Sequence, residues 1–226
     1  MLKEIVRVWQ SGVQQRSADF IGYREAAAPT YQEFFHDIIE CLIAALESKD
    51  SYTSGHSSRV ADMSLDMAHA LEIKGVNLEN VHMAAHLHDI GKMGVSEYIL
   101  NKPGKLLAHE WQQIQAHPVV GYNILSKSRL LFRIAKIVLY HHERWDGQGY
   151  PQGLQRHYIP LGSRVIAVAD AVDAMTTDRP YRKPMSWEGC YQELQLNKEK
   201  QFDPIVVEAA AQLWRKWAAN QQDKQT

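Results

Sequence analysis

The sequence predicts an all-α fold: a helical bundle built around a metal centre, with an N-terminal helical extension. Three observations predict it. Apolar residues recur at three- and four-residue spacing through most of the 226-residue chain. No stretch offers several alternating strands. Histidines and aspartates, His56, His88, Asp89, His117, His141, His142 and Asp170, are dispersed over its middle, two pairs of them adjacent inside otherwise apolar segments. With 45% hydrophobic residues, the chain is long enough to bury one sizeable core.

The elements follow in order. Leu2, Ile5, Val6, Trp9 and Val13 form an amphipathic stripe, and residues 26–29 read as a break. Phe34, Phe35, Ile38, Ile39, Leu42, Ile43 and Leu46 then recur as one buried helix face. Further helices are expected near 57–71, 78–89, 109–115, 130–140, 163–175, 187–196 and 204–218. Three loops, 91–107, 143–160 and 176–184, combine glycine, proline and charge, the composition of segments that carry function. The second contains Gly147, Gly149 and Gly153 and reads as an ordered turn structure. Residues 1–49 are expected to form the extension, 50–220 the main domain and 221–226 a frayed tail.

A formal net charge of −1 excludes a global basic field for nucleic-acid polymers, while leaving room for a small anion at a local arginine cluster. Cys41 and Cys190 form no paired motif, which fits a reducing compartment, so the cytoplasm is expected. No window is long and apolar enough to span a bilayer.

Imidazole and carboxylate ligands suit hard to borderline divalent metals. Adjacent residues on a helix point about 100° apart, so His88 and Asp89 can face one metal only at a helix end, which Gly91 supplies. The pair His141 and His142 poses the same geometry. A carboxylate has two oxygens and imidazole ordinarily offers one nitrogen, so Asp89 is the natural bridge between two metals. His36, His69, His82, His86, His109 and His157 read as surface, packing or supporting residues. His82 and His86 share a helix face, yet a solvated or core role outweighs ligation there.

At these residues the chain resembles the HD-GYP branch of the HD phosphohydrolase superfamily. YTSGHSSRVA, HLHDIGKMGV, ILNKPGKL, QAHPVVGYNIL, HHERWDGQGYP, RVIAVADAVDAM, DRPYRK and FDPIVV follow in the family's order, covering about residues 52–207. The resemblance implies a metal-dependent phosphodiesterase acting on cyclic di-GMP, through a hydroxide held between two metals, with either pGpG or GMP as the end product. It implies His56, His88, Asp89 and Asp170 as ligands of one metal and Asp89, His117, His141 and His142 of the other. Asp173 reads as a supporting or structural residue. Some relatives carry a further carboxylate where this chain has Tyr52, so two divalent metals are expected, iron or manganese first, with zinc, nickel or cobalt as alternatives.

Lys92, one turn beyond the His88 and Asp89 pair, is expected to neutralise the attacked phosphate or assist the departing oxygen. Arg179 and Arg182 offer planar forks for phosphate oxygens, and Tyr181 a packing or base-flanking ring. Tyr150 either contacts substrate or packs its loop, and Arg144 has Asp146 as a local partner. Where the family commonly has glycine three residues before the phenylalanine of FDP, this chain has Glu199, expected to alter only a turn. The competing readings are a nonenzymatic cyclic di-GMP sensor docking on a partner such as a diguanylate cyclase, and a phosphodiesterase of another cyclic dinucleotide such as cyclic GMP-AMP. The N-terminal extension is expected to pack on its own domain, to sense, or to form a homodimer.

Overall fold

A computed structural model describes residues 31–49, 55–178 and 183–222, with side chains for 37–49, 55–178 and 183–219. The N-terminal stripe, the break at 26–29, Tyr52, Arg179, Tyr181, Arg182 and the last four residues lie outside the described residues. Among the described residues ten α-helices follow one another: α1 Tyr31–Glu47, α2 His56–Ala70, α3 Val76–Leu87, α4 Glu97–Leu100, α5 Ala108–Gln115, α6 His117–Leu125, α7 Phe132–Leu139, α8 Leu161–Thr176, α9 Trp187–Leu196 and α10 Pro204–Gln222. Among the described residues there is no strand, only an isolated bridge between Lys198 and Phe202. One compact unit begins at Cys41, within α1, and holds everything that follows.

The core lies where α2, α3 and α8 meet, with α7 closing one side and α10 the other. Helix α8 is buried around most of its circumference, through Val165, Ile166, Val168, Ala169, Val172 and Thr176, so it serves as the central post. Small residues let neighbours come close: Ala84 and Ala85 of α3 are fully covered. Helix α10 is tied to α2 by Asp66, which accepts from Lys216 Nζ at 2.7 Å and from Trp217 Nε1 at 2.9 Å.

Two expectations are corrected. In α1, Ile39, Ile43 and Leu46 are buried, whereas Ile38 and Leu42 are exposed; adjacent residues cannot share one narrow stripe. Helix α6 is not among the elements that apolar periodicity predicts. Pro118 and Gly121 obscure it, but proline is tolerated in the first turn, where its missing N–H has no intrahelical partner. The loop expected at 91–107 also contains a 3-10 turn, Ile90–Gly94, and the short α4.

That 3-10 turn runs directly against α6. A Cβ added at Gly91 would overlap the His117 carbonyl and lie 2.6 Å from Gly121 N, so only glycine allows this approach. Lys49 holds the far end of the turn by donating to the carbonyls of Met93 and Val95 at 2.8 and 2.6 Å.

Two predictions follow from this backbone. Gly91→Ala should destabilise the protein by about 1–3 kcal/mol or more in urea unfolding, the range for forced overpacking, and displace His117. Glu199 sits at φ 65°, the left-handed conformation that the family's glycine suits. Glu199→Gly should therefore raise stability by roughly 0.5–1 kcal/mol, relief of strain outweighing the flexibility glycine adds to the unfolded chain. A lower midpoint for Glu199→Gly would contradict this account.

Candidate metal centre

Three of the histidines sit just past helix ends, and each uses that end in the same way. His88 Nδ1 donates to Ala85 O at 2.7 Å, His117 Nδ1 to Ile114 O at 2.6 Å, and His141 Nδ1 to Val138 O at 2.6 Å. These carbonyls belong to the last turns of α3, α5 and α7, where intrahelical donors run out. A carbonyl only accepts, so each ring carries its proton on Nδ1 and leaves a lone pair on Nε2. His56, the first residue of α2, is backed instead by a carboxylate: its Nδ1 donates to Asp173 Oδ2 at 2.7 Å.

All four Nε2 atoms then point inward. His56 Nε2 lies 3.3 Å from His88 Nε2, and His117 Nε2 lies 3.3 Å from His141 Nε2. With the protons of His117 and His141 on Nδ1, that pair is lone pair against lone pair, and a cation at either pair of Nε2 atoms would convert the contact into ligation. Asp89 stands between the pairs. Its Oδ2 is 3.4 Å from His88 Nε2 and 3.8 Å from His56 Nε2, while Oδ1 is 3.4 Å from His117 Nε2. Asp170 Oδ1, from the central post α8, approaches His56 Nε2 at 3.5 Å.

The donors form two groups, His56, His88 and Asp170, and His117, His141 and His142, each with its ligating atoms within 4.8 Å of one another. The donor set fits divalent metal ions, and the two oxygens of Asp89 reach one group each. The expected residues thus come together in the expected division. His82 and His86 join no such group; they pack edge to face 4.8 Å apart. Of the other decoys, His69, His109 and His157 are exposed.

Burial sets the charge states. His141 and His142 are held below the usual histidine range, first by burial and then by neighbouring histidines, His142 at about 3. His117 is lowered too, by burial, against the pull of Asp89. Burial would raise Asp89, but Lys92 and the surrounding histidines hold it well below the carboxylate range. The result at His117, His141, His142 and Asp89 is neutral imidazole beside ionised carboxylate, the forms that bind metal. Burial would lower His56 too, but its hydrogen bond to Asp173 and the charges of Asp170 and Asp89 raise it. Lys92 Nζ donates to Asp89 Oδ2 at 2.6 Å.

The glycine-rich loop folds back over this centre. Glu143, buried and next to His142, accepts from the backbone N–H of Gln152 at 2.7 Å and of Leu154 at 3.0 Å. Tyr150 N donates to His142 O at 3.2 Å, and its ring covers that of His142 at 4.9 Å and 33°. Gly149 makes this possible, since a Cβ there would stand 2.6 Å from the Glu143 Cα. Arg144 grips Asp146 through two nitrogens at 3.1 and 2.7 Å and also donates to Gln201 Oε1. The loop is pinned to the turn before α10 by Trp145 N to Gln201 O and Asp146 N to Lys200 O. Sequence reasoning missed Arg59 and Glu143. Glu143 stands within the HHERWDGQGYP motif, and Arg59 one turn beyond His56, so position alone could have raised both.

Comparison with known proteins agrees with this geometry. A family model described as HD domain matches residues 40–206. The chain belongs to the HD domain family. It carries the ordered motifs of the family's HD-GYP branch. It is 40% identical to a cyclic di-GMP phosphodiesterase of Thermotoga maritima, over 81% of this chain and 50% of that protein. It is 37% identical to 3'3'-cGAMP-specific phosphodiesterase 2 of Vibrio cholerae, over 83% of this chain and 36% of that one. With the response regulator RpfG of Xanthomonas campestris the identity is 34%, over 90% and 54%. This chain spans about half the length, or less, of these curated relatives. Among solved structures, a Vibrio cholerae cyclic GMP-AMP phosphodiesterase shares the fold with a TM-score of 0.59 at 20% identity, over 77% of this chain and 48% of that chain. The PgpH HD domain of Listeria monocytogenes does so at 0.54 and 17%, over 82% and 99%.

The His56–Asp173 contact gives a pH prediction for the metal-free chain. Burial would raise Asp173, but its hydrogen bonds from His56 and Arg59 push it down to about 2. Its folded value lies below the unfolded one of about 3.9, so its stabilising effect is present above that value and is lost as pH falls towards 2. Urea unfolding should show wild type exceeding Asp173→Asn by about 2 kcal/mol near pH 5, with the gap closing as pH falls below 4. A gap unchanged down to pH 2 would contradict the assignment.

Proposed function

We propose that this chain is a metal-dependent phosphodiesterase that opens cyclic di-GMP, ending at pGpG or at GMP. The observation that supports it most is the pair of opposed Nε2 contacts divided by Asp89, which a phosphoester-cleaving pair of cations would satisfy. His56, His88, Asp89 and Asp170 would hold one cation, and Asp89, His117, His141 and His142 the other, iron or manganese before zinc, nickel or cobalt. Two such ions, when bound, supply Lewis acidity to a phosphate and acidify water.

The chain's own groups do the rest. Lys92 keeps a cation beside Asp89, within reach of phosphate charge. Tyr150 is raised above its ordinary range by burial and then by Asp170 and Asp89, so its hydroxyl stays a donor that can orient a phosphate oxygen. Packing on His142 and contact with substrate are compatible roles for this ring. Arg179 and Arg182 are assigned to the second phosphate through their planar forks, and Tyr181 to a guanine face.

The catalytic unit is assigned to 50–220, and residues 1–49 to a helical extension that pairs two chains, in keeping with the exposed Ile38 and Leu42 of α1. Among the described residues no helix is long and apolar enough to cross a membrane. A cytoplasmic setting is in keeping with a sequence that carries only two cysteines, Cys41 and Cys190, and no paired cysteine motif. The Vibrio cholerae relatives named for 3'3'-cGAMP favour one second reading, hydrolysis of that dinucleotide. A sensor that docks on a diguanylate cyclase has less support, because the full donor set is in place.

The experiment is product chromatography on protein loaded anaerobically with iron or manganese, offered cyclic di-GMP and 3'3'-cGAMP side by side. We expect pGpG or GMP from the first, faster than cleavage of the second. Asp89→Ala should lose at least a hundredfold in rate together with bound metal, since removing the bridge undoes both positions. Full metal content with intact nucleotide would turn the assignment to the sensor.

A further inference from the structure

The two donor groups are backed differently. Behind His88, His117 and His141 stands a neutral carbonyl, and behind His56 stands the carboxylate of Asp173. A carboxylate on the far nitrogen of a ligating imidazole makes the near nitrogen a stronger base and fixes the ring plane. The group of His56, His88 and Asp170 thus draws on Asp170 directly, on Asp173 through a ring, and on Asp89. Among the described residues, the group of His117, His141 and His142 contains no carboxylate of its own and is faced by the other oxygen of Asp89.

Asp173 is itself held in place. Arg59 Nε donates to its Oδ1 at 2.5 Å, Arg59 Nη2 to its Oδ2 at 3.2 Å, and Thr177 Oγ1 to its Oδ1 at 3.2 Å. Together with His56, four donors occupy a carboxylate whose side chain is only 2% exposed. Arg59 lies three residues beyond His56, so one face of α2 presents both the ring and the fork that aims the ring's partner. A plain α2–α8 ion pair would need Asp173 to face Arg59 alone.

We propose that Arg59 and Asp173 are positioning residues that act through His56 on one of the two cation positions, raising its affinity selectively. This rests on the metal-centre reading above. In the folded protein the pair makes the two positions unequal: the one at His56 fills first, and the one at His117 follows.

The test is equilibrium dialysis of the full chain against graded manganese(II), with bound manganese quantified and electron paramagnetic resonance distinguishing isolated from coupled ions. Wild type should take up two ions per chain in two steps. Asp173→Asn should weaken one step by about 10–100-fold and leave the other within about threefold. Arg59→Met should weaken the same step by roughly 3–10-fold, and Arg59→Lys should restore part of it, because a charge returns without the fork. In a His142→Ala background, which removes the other position, the remaining step should be the one Arg59→Met weakens. Loss of both steps together, or of neither, in folded variants would overturn the proposal. If Asp173→Asn does not fold, Arg59→Met decides by the same criterion. Wild type that takes up no manganese would sink the metal-centre reading itself, and this inference with it.

Discussion

Asp89 is a buried carboxylate with oxygens facing two separate histidine groups, and a charge in that position costs several kcal/mol unless it is paired. Lys92 offsets part of the cost at 2.6 Å. The histidines around it are mostly neutral, so they supply dipoles and lone pairs rather than full charges. What completes the balance in chemical terms is positive charge between the rings. The helices that meet here are arranged around that need: α3, α5 and α7 each end at the centre, α2 begins there, and α8 brings Asp170.

The helix ends also explain how such a site is built without disordering the fold. Carbonyls in the last turn lack intrahelical partners, and here three of them are satisfied by the rings of His88, His117 and His141. One hydrogen bond thus closes a helix end and fixes the tautomer that leaves Nε2 available. The facing lone pairs of His117 and His141 are a destabilising feature that a bound cation would relieve, which would link metal binding to stability. The close approach of the 3-10 turn to α6 at Gly91 keeps Asp89 and His117 in register across that gap.

The glycine-rich loop is rigid for reasons separate from the centre it covers. Arg144, Trp145 and Asp146 lock it to the turn at 200–201, and Glu143 collects two of its N–H groups. Tyr150 is thereby set over His142, the one ring of the six-residue donor set for which ring packing stands in place of a backing carbonyl or carboxylate.

The helical class, most helix spans and the candidate donor residues were legible in the sequence, because apolar spacing and side-chain chemistry are local properties. The 187–196 helix matches its expected span, and the seven metal-site residues chosen from chemistry and motif are those that converge. Local signals failed where two demands met in one segment. Proline and glycine hid α6, and crowding of apolar residues in α1 hid which stripe is buried. Only the tertiary structure decided which histidines oppose one another, which oxygen of Asp89 faces which group, and that Arg59 reaches Asp173 across 114 residues of sequence. Those pairings depend on helix packing angles and end positions, which no spacing within one segment encodes.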